Sequence, residues 1–473
     1  MRAFRTCALG LLGAGLAVAA TTPGQAQHLL APPAYRMERA QEDYRYLASD
    51  TTTVRPDLFD PVKFIPLSRS KRSYLSLGGE VRVQYVRVRH NDWGAGPEDR
   101  NGYLLERYML HTDWHAGPHV RVFGQLKSGL VHGKSFEPEL TEKDQLDLHQ
   151  AFLDLRVGDP AAHSLTVRLG RQEMAYGSSR LISWREAPNV RQTFDGGRLL
   201  WRTPGLALDG FLTRPATTEP GVFDDKPNPN VWFWGLYGVK TIKPLAGGLD
   251  LYYLGFDNKL ARYQQGRAPE RRHSVGGRWW GSPGNWRYNI EAVYQFGQFG
   301  RGQIQAWTAS GEFGYLFKDL PLRPLLQLRT EHISGDRNPD QPDLQTFNPL
   351  FPKGAYFGQA ALIGPANLRD VHPVLTLYPT SDDRVAISLD WDFFWRARRT
   401  DGLYSVPYVL SRPGSASQAR YIGDQLTAEL DWQVQRHWEL ELFLTYFRAG
   451  AFLRESGPGL NQTYVSPRVT FRF

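Results

Sequence analysis

The stretch DQLTAELDWQVQ, residues 424–435, alternates without a break. Leu426, Ala428, Leu430, Trp432 and Val434 fall on one face, and Thr427, Glu429, Asp431 and Gln433 on the other. A period of two marks a β-strand, whose successive side chains point to opposite sides of the sheet. YLSLGGEVRVQY repeats it, with Leu75, Leu77, Val81, Val83 and Tyr85 opposite Glu80, Arg82 and Gln84. So does the run from Val385 to Phe393, where Val385, Ile387, Leu389, Trp391 and Phe393 oppose Ser388, Asp390 and Asp392. WELELFLTYF adds Leu440, Leu442, Leu444 and Tyr446. A face that is apolar throughout must meet either a second sheet or lipid. Mean hydropathy is −0.45, yet aromatic residues make up 13% of the chain. That combination suits strands with one face in a bilayer and the other in a wet interior.

The pattern predicts eighteen strands, near residues 74–89, 103–115, 119–132, 147–157, 163–170, 196–203, 206–214, 231–242, 248–258, 271–281, 284–297, 303–317, 322–333, 366–378, 384–395, 419–433, 438–449 and 463–473. From the second connection onward every other one is short: AGP, GDPAAH, TPG, KPLAGG, GSP, KDLP, PTSDD and QRH. Those between them include the long stretches 171–195, 334–365 and 396–418. Short turns at one rim and long loops at the other fit a transmembrane antiparallel β-barrel, with the short side in the periplasm. No run after residue 26 approaches the about 18 apolar residues of a spanning helix. A secreted sandwich or propeller is the alternative all-β reading, but no propeller-length repeat is visible.

Both ends agree with export to an outer membrane. Arg2 and Arg5, an apolar run around Leu9 to Ala20, and small residues at Gly24 and Ala26 read as a signal peptide over 1–26. Cys7, the only cysteine, falls within it, so no disulfide, thiolate nucleophile or cysteine–metal site is expected beyond it. Residues 27–73 read as a periplasmic N-terminal segment and 74–473 as the barrel. In YVSPRVTFRF, Val469, Phe471 and Phe473 share one face, as a closing strand requires. A terminal aromatic strand also resembles the signal that outer-membrane proteins present to their assembly machinery.

The inward face should be basic. Of 56 basic residues only 11 are lysine, and removing Arg2 and Arg5 takes the formal charge from +8 to +6. Alternation turns Arg82, Arg107, Arg121, Lys127, Arg156, Arg168, Arg198, Arg202, Arg329, Arg468 and Arg472 toward the lumen. Guanidinium groups stay charged and grip carboxylates bidentately, so such a lining favours anions. The competing reading is a structural ladder with Glu80, Glu106, Asp154, Glu291, Glu331, Asp390, Glu429 and Asp431 as partners. Trp114, Trp201, Trp279, Trp280 and Trp438, near strand ends, suit an interface girdle. Trp93 and Trp184, in long loops, are placed to stack on a sugar.

Enzymatic signals are sparse. There is no GxSxG, HExxH or glycine-rich phosphate loop. His111 with Asp113, and His372, read as isolated or network histidines rather than general bases. Asp336 and Asp340 lack calcium-ligand spacing. No cofactor, metal or nucleic-acid partner is expected.

Four stretches carry a family resemblance: DLFDPVKFIPL (57–67), LGRQEMAYGSSRLIS (169–183), FNPLFPKGAYFG (347–358) and DFFWRARRTDGLY (392–404). With them, the chain from about residue 40 onward resembles the alginate export family of outer-membrane barrels. The resemblance implies an eighteen-stranded pore whose electropositive constriction passes a polyuronate, gated by loops and a periplasmic plug, with a periplasmic secretion partner. Arg82, Arg107, Arg121, Arg168, Arg171 and Arg198 are the residues nearest such a constriction. Residues 28–73 are too short for the plug of an active transporter, so transport is expected to be passive. A general anion-selective porin and, more remotely, a barrel enzyme are the alternatives.

Overall fold

The computed structural model describes residues 31–49, 54–159, 162–406 and 408–473; the signal-peptide reading of 1–26 lies outside them. Eighteen strands form one closed antiparallel barrel. They are β1 (Tyr74–Arg89), β2 (Tyr103–Ala116), β3 (Val120–His132), β4 (Asp144–Gly158), β5 (Ser164–Gln172), β6 (Phe194–Thr203), β7 (Leu206–Thr217), β8 (Val231–Ile242) and β9 (Gly247–Tyr263). The second half comprises β10 (Gly266–Gly281), β11 (Trp286–Phe299), β12 (Gly302–Leu316), β13 (Leu325–Ile333), β14 (Leu368–Leu377), β15 (Val385–Arg396), β16 (Tyr421–Gln435), β17 (Trp438–Ala449) and β18 (Gln462–Arg472). Each strand pairs with its chain neighbour, and β18 returns to β1 from Glu80↔Arg472 to Arg89↔Thr463. Closure removes every free edge, which in hydrocarbon would leave backbone groups unsatisfied.

All eighteen expected strands are present. The two hairpins β9–β10 and β11–β12 have short loops where the long side was expected, because their strands extend beyond the rim instead. The outer face is the apolar one: Leu110, Leu212, Leu236 and Leu251 are all exposed, Leu236 by 64%. Facing lipid, such side chains replace a hydrophobic core. Leu236→Arg, in the middle of β8, is therefore expected to cost about 2–4 kcal/mol of stability in a bilayer, measured by urea titration in liposomes. Trp114, Trp201, Trp279 and Trp438 are exposed on that same face. Trp280 departs from the girdle reading, since its indole Nε1 donates to Asp250 Oδ1 at 2.8 Å.

Two loops fold into the barrel rather than away from it. Residues 173–193, between β5 and β6, and 334–367, between β13 and β14, meet through a parallel bridge at Ile182↔Phe351. Phe351 N donates to Leu181 O and Lys353 N to Ser179 O, both at 2.9 Å. A Cβ at Gly354 would collide with Pro188, so the two loops touch with no room between them. Met174, Leu181, Ile182, Phe347, Leu350 and Phe351 pack with the inward-facing Phe194, Phe211 and Phe233 in one apolar cluster. The inward face of β6 to β9 is thus apolar where the loops cover it, which the alternation in charge did not foretell. Trp93, expected to be open to a sugar, is 2% exposed and packs edge-on to Phe447.

Candidate functional site in the barrel lumen

The pleat turns Arg82 on β1, Arg107 on β2, Arg121 and Lys127 on β3, Arg156 on β4, Arg168 on β5, Arg198 and Arg202 on β6, and Arg329 on β13 inward, on the parity of buried neighbours. Arg171 differs: it shares the parity of Leu169, which is half exposed on the outer face, and it grips Asp195 through Nε and Nη2 at 2.9 and 3.1 Å. It therefore braces β5 to β6 at the loop rim rather than lining the lumen with Arg168.

Nearly every inward cation already holds a carboxylate. Arg121 binds both oxygens of Asp113 at 2.7 and 2.8 Å, and Arg168 binds both of Asp154 at the same distances. Lys127 sits 2.8 Å from both Asp144 and Asp225. Arg198 reaches Asp209 at 3.1 Å, Arg202 contacts the same carboxylate, and Arg329 lies 3.4 Å from Asp390. Arg156 donates to Thr166 Oγ1 at 3.4 Å and makes no ion pair among the described residues. The ladder reading therefore describes most individual side chains. Cross-strand spacing explains much of it: Arg168 stands directly opposite Asp154, while Arg121 and Arg198 reach Asp113 and Asp209 diagonally on the adjacent strand.

Loops carry two of the carboxylates, Asp225 beside Lys127 and Glu186 among three arginines. Glu186, in the 173–193 loop, contacts Arg107 and Arg191 and lies 3.5 Å from Arg82 Nη1. Arg82 also donates to the carbonyls of Glu186 and Pro188 at 3.0 and 2.8 Å. Burial alone would raise the Glu186 carboxyl, but the guanidinium groups of Arg107 and Arg191 beside it hold it below the usual carboxylate range. The first turn of this loop is fixed by GRQE: Glu173 accepts from Arg191 Nη1 at 3.2 Å and lies 2.8 Å from His149 Nε2.

The short-turn end is covered from inside. Arg39 donates to Gly79 O and Phe473 O at 2.8 and 2.7 Å, and Arg191 Nη1 donates to Met37 O at 3.2 Å. The segment before β1 thus runs up to the inward-folded loop. Lys63 donates to Leu77 O at 2.9 Å beneath the rings of Tyr35, Tyr44 and Phe473.

On the opposite wall a cavity of about 290 Å³ remains, between the 334–367 loop and β12 to β16. Its cations are Arg180, Arg329 and Lys353; its acids are Glu312, Glu331, Asp370, Asp390, Asp392 and Glu429. Burial, with Arg180 and Arg329 near, pushes the Lys353 ammonium down to about 8. Six carboxylates against three basic side chains and one histidine make this wall acidic, where a basic lumen was expected. Sequence showed Asp370 and His372 two apart, and Asp390 and Asp392 likewise, so each pair shares a face. That β14 and β15 set the two pairs side by side depends on register, which the sequence does not display.

The alginate export sequence profile matches residues 73–465, most of the chain. The chain belongs to the alginate export family. No curated protein matches it. Among solved structures, this alginate export family barrel is similar to Pseudomonas aeruginosa OpdK with vanillate, at 12% identity and TM-score 0.55, covering 84% of this chain and 98% of that one. P. aeruginosa OccK2 (OpdF), solved with glucuronate, gives 13% identity and TM-score 0.54 over 87% and 98% of the two chains. A BenF-like porin from Pseudomonas fluorescens Pf-5 gives 10% identity and TM-score 0.58 over 84% and 98%. At such identities the likeness is one of fold. Family and fold together make the protein an outer-membrane channel of a Gram-negative bacterium, integral to the membrane. Two of the four resembling stretches, 169–183 and 347–358, fall in or beside the two inward-folded loops, and they include both residues of the Ile182↔Phe351 bridge.

Proposed function

We propose that the barrel passes an anionic solute by diffusion, a uronate-bearing polysaccharide such as alginate, along the wall formed by β1 to β6. Arg82, Arg107, Arg121, Lys127, Arg156, Arg168, Arg198 and Arg202 are its contacts on that wall, with Arg329 across the lumen and Arg171 at the rim. The observation that carries this reading is Glu186, a carboxylate on a loop, held by the wall guanidinium groups of Arg82 and Arg107. A uronate carboxylate offers the same charge and fork geometry, so it competes with Glu186 for the same donors. The reading assigns the barrel no reaction. Outer-membrane lipid and the barrel assembly machinery are its partners in this scheme, with a periplasmic secretion partner at the short-turn end.

A second reading, a porin for small carboxylates, is favoured by the inward-folded loops, which meet at Ile182↔Phe351 inside the barrel. Vanillate and glucuronate, found with two structural neighbours, are solutes of that kind. Planar-bilayer recordings separate the readings. Asymmetric salt is expected to give a reversal potential toward chloride, and polymannuronate, but not a neutral glucan, to block the current. Block by glucuronate without block by the polymer selects the small-solute porin; cation selectivity overturns both.

A further inference from the structure

The acidic wall holds an arrangement that an anion channel does not require. Ladder pairs between β14 and β15 run from Leu368↔Arg396 to Val371↔Phe393 and resume at Val374↔Asp390. Between them lie His372 and Pro373, opposite Trp391 and Asp392. Proline has no N–H to give the ladder, so the strands part there. His372 then stands beside Asp392 and diagonal to Asp390, all three bordering the cavity.

The hydrogen bonds around this group leave one side empty. His372 Nε2 lies 2.7 Å from Asp370 Oδ2, and Nδ1 faces Asp390 and Asp392. Asp390 Oδ2 accepts from Arg329 at 3.4 Å, and Asp392 Oδ2 from Gln425 at 3.4 Å. The other oxygen of each, Oδ1, is buried and accepts no hydrogen bond. Asp392 is only 2% exposed. His372 Nδ1 contacts Asp392 Oδ1 and lies 3.7 Å from Asp390 Oδ1. All three atoms lie within 4.8 Å of one another. Two carboxylate oxygens facing one point beside an imidazole repel unless positive charge, a proton on the ring or a metal ion, sits among them.

We propose that His372 Nδ1, Asp390 Oδ1 and Asp392 Oδ1 bind one divalent transition-metal ion such as zinc or manganese, with Asp370 as the positioning residue behind the imidazole. Ligand–metal distances of about 2.0–2.2 Å place pairs of ligand atoms up to roughly 4 Å apart, the spacing of Nδ1 from Asp390 Oδ1; Nδ1 and Asp392 Oδ1, in contact here, separate to admit the ion. A mixed imidazole and carboxylate set suits first-row transition ions better than calcium or magnesium. A carboxylate on the far nitrogen is the usual support for a metal-bound histidine. The cavity supplies an entry path, and a double positive charge offsets part of the carboxylate excess on this wall. The inference is independent of which solute the channel carries.

Chelator-treated, detergent-solubilised full-length barrel titrated with zinc by calorimetry, and with cobalt by visible absorption, tests it. One ion per chain is expected. His372→Gln and Asp392→Asn should weaken binding by at least about 100-fold, and Asp370→Asn by about 10–100-fold. Asp224→Asn, in the separate cluster with Asp147 and Asp225, should leave it unchanged. Heat-dependent gel mobility reports whether each variant is folded. Pulsed EPR of the copper-loaded wild type supplies a readout that needs no variant, since an imidazole nitrogen should couple to the ion. Absence of stoichiometric binding, unchanged affinity in folded Asp392→Asn, or no nitrogen coupling overturns the proposal.

Discussion

Replacing Glu80 with alanine is expected to lower the unfolding free energy of the barrel by about 3–5 kcal/mol. Glu80 is buried on β1, at the seam that closes the cylinder. Arg107 of β2 donates to its Oε1 at 2.9 and 2.6 Å, and Arg472 of β18 donates to its Oε2 at 2.9 Å. Arg191 of the inward-folded loop stands 3.8 Å away. One carboxylate therefore ties the first strand to the second, to the last and to the loop. Removing it leaves buried guanidinium groups facing one another without their shared anion, and that penalty exceeds what the pair itself contributed. Glu80→Gln keeps the volume and an acceptor, so a smaller loss of about 1–3 kcal/mol is expected. Urea titration followed by tryptophan fluorescence measures both. A loss below about 1 kcal/mol for Glu80→Ala would mean that water already screens these charges.

Removing residues 337–364 and bridging the gap with a short glycine–serine link is expected to raise single-channel conductance about tenfold, because barrels of this strand number hold an aqueous channel when nothing fills them. Here the 334–367 loop fills the lumen through particular contacts. Gln295 Nε2 donates to Asn348 O at 2.8 Å, Tyr356 donates to Glu331 at 2.9 Å, and Tyr408 donates to Phe347 O at 2.9 Å. The loop also supplies Phe347, Leu350, Phe351 and Phe357 to the apolar cluster. Its deletion removes the partner of the 173–193 loop at Ile182↔Phe351 and opens both the apolar wall and the acidic cavity. The strands on either side keep their ladder, from Leu325↔Thr376 to Ile333↔Leu368, so the barrel should still fold. Unchanged conductance in a folded deletion variant would place the constriction elsewhere.

The strands were legible because their signal is local. Leu426, Leu430 and Trp432 against Glu429 and Asp431 need only the pleat of one strand to separate lipid from lumen. All eighteen strands follow from that repeat, and the closing pair β18–β1 follows from the need to leave no edge in hydrocarbon. The inward direction of Arg82, Arg107, Arg121 and Arg168 is legible for the same reason. The GRQE and FNPLFPKGAYFG stretches signalled the family, but not that they meet inside the barrel.

The fate of each inward charge was not legible, because it depends on which residue the neighbouring strand sets opposite. Asp113 diagonal to Arg121, and Asp154 facing Arg168, are products of register. Trp93 reads as an exposed loop tryptophan until the loops pack over it. The cluster of His372 with Asp370, Asp390 and Asp392 is written as two innocuous i, i+2 pairs on strands that only the barrel brings together. By itself the sequence determined an eighteen-stranded cylinder, greasy outside and with its charged face turned inward, since a period of two is a property of a single strand in water or lipid. Tertiary structure alone decided where the loops travel, which cations are neutralised and where carboxylates gather, since those outcomes depend on distances between residues far apart in the chain.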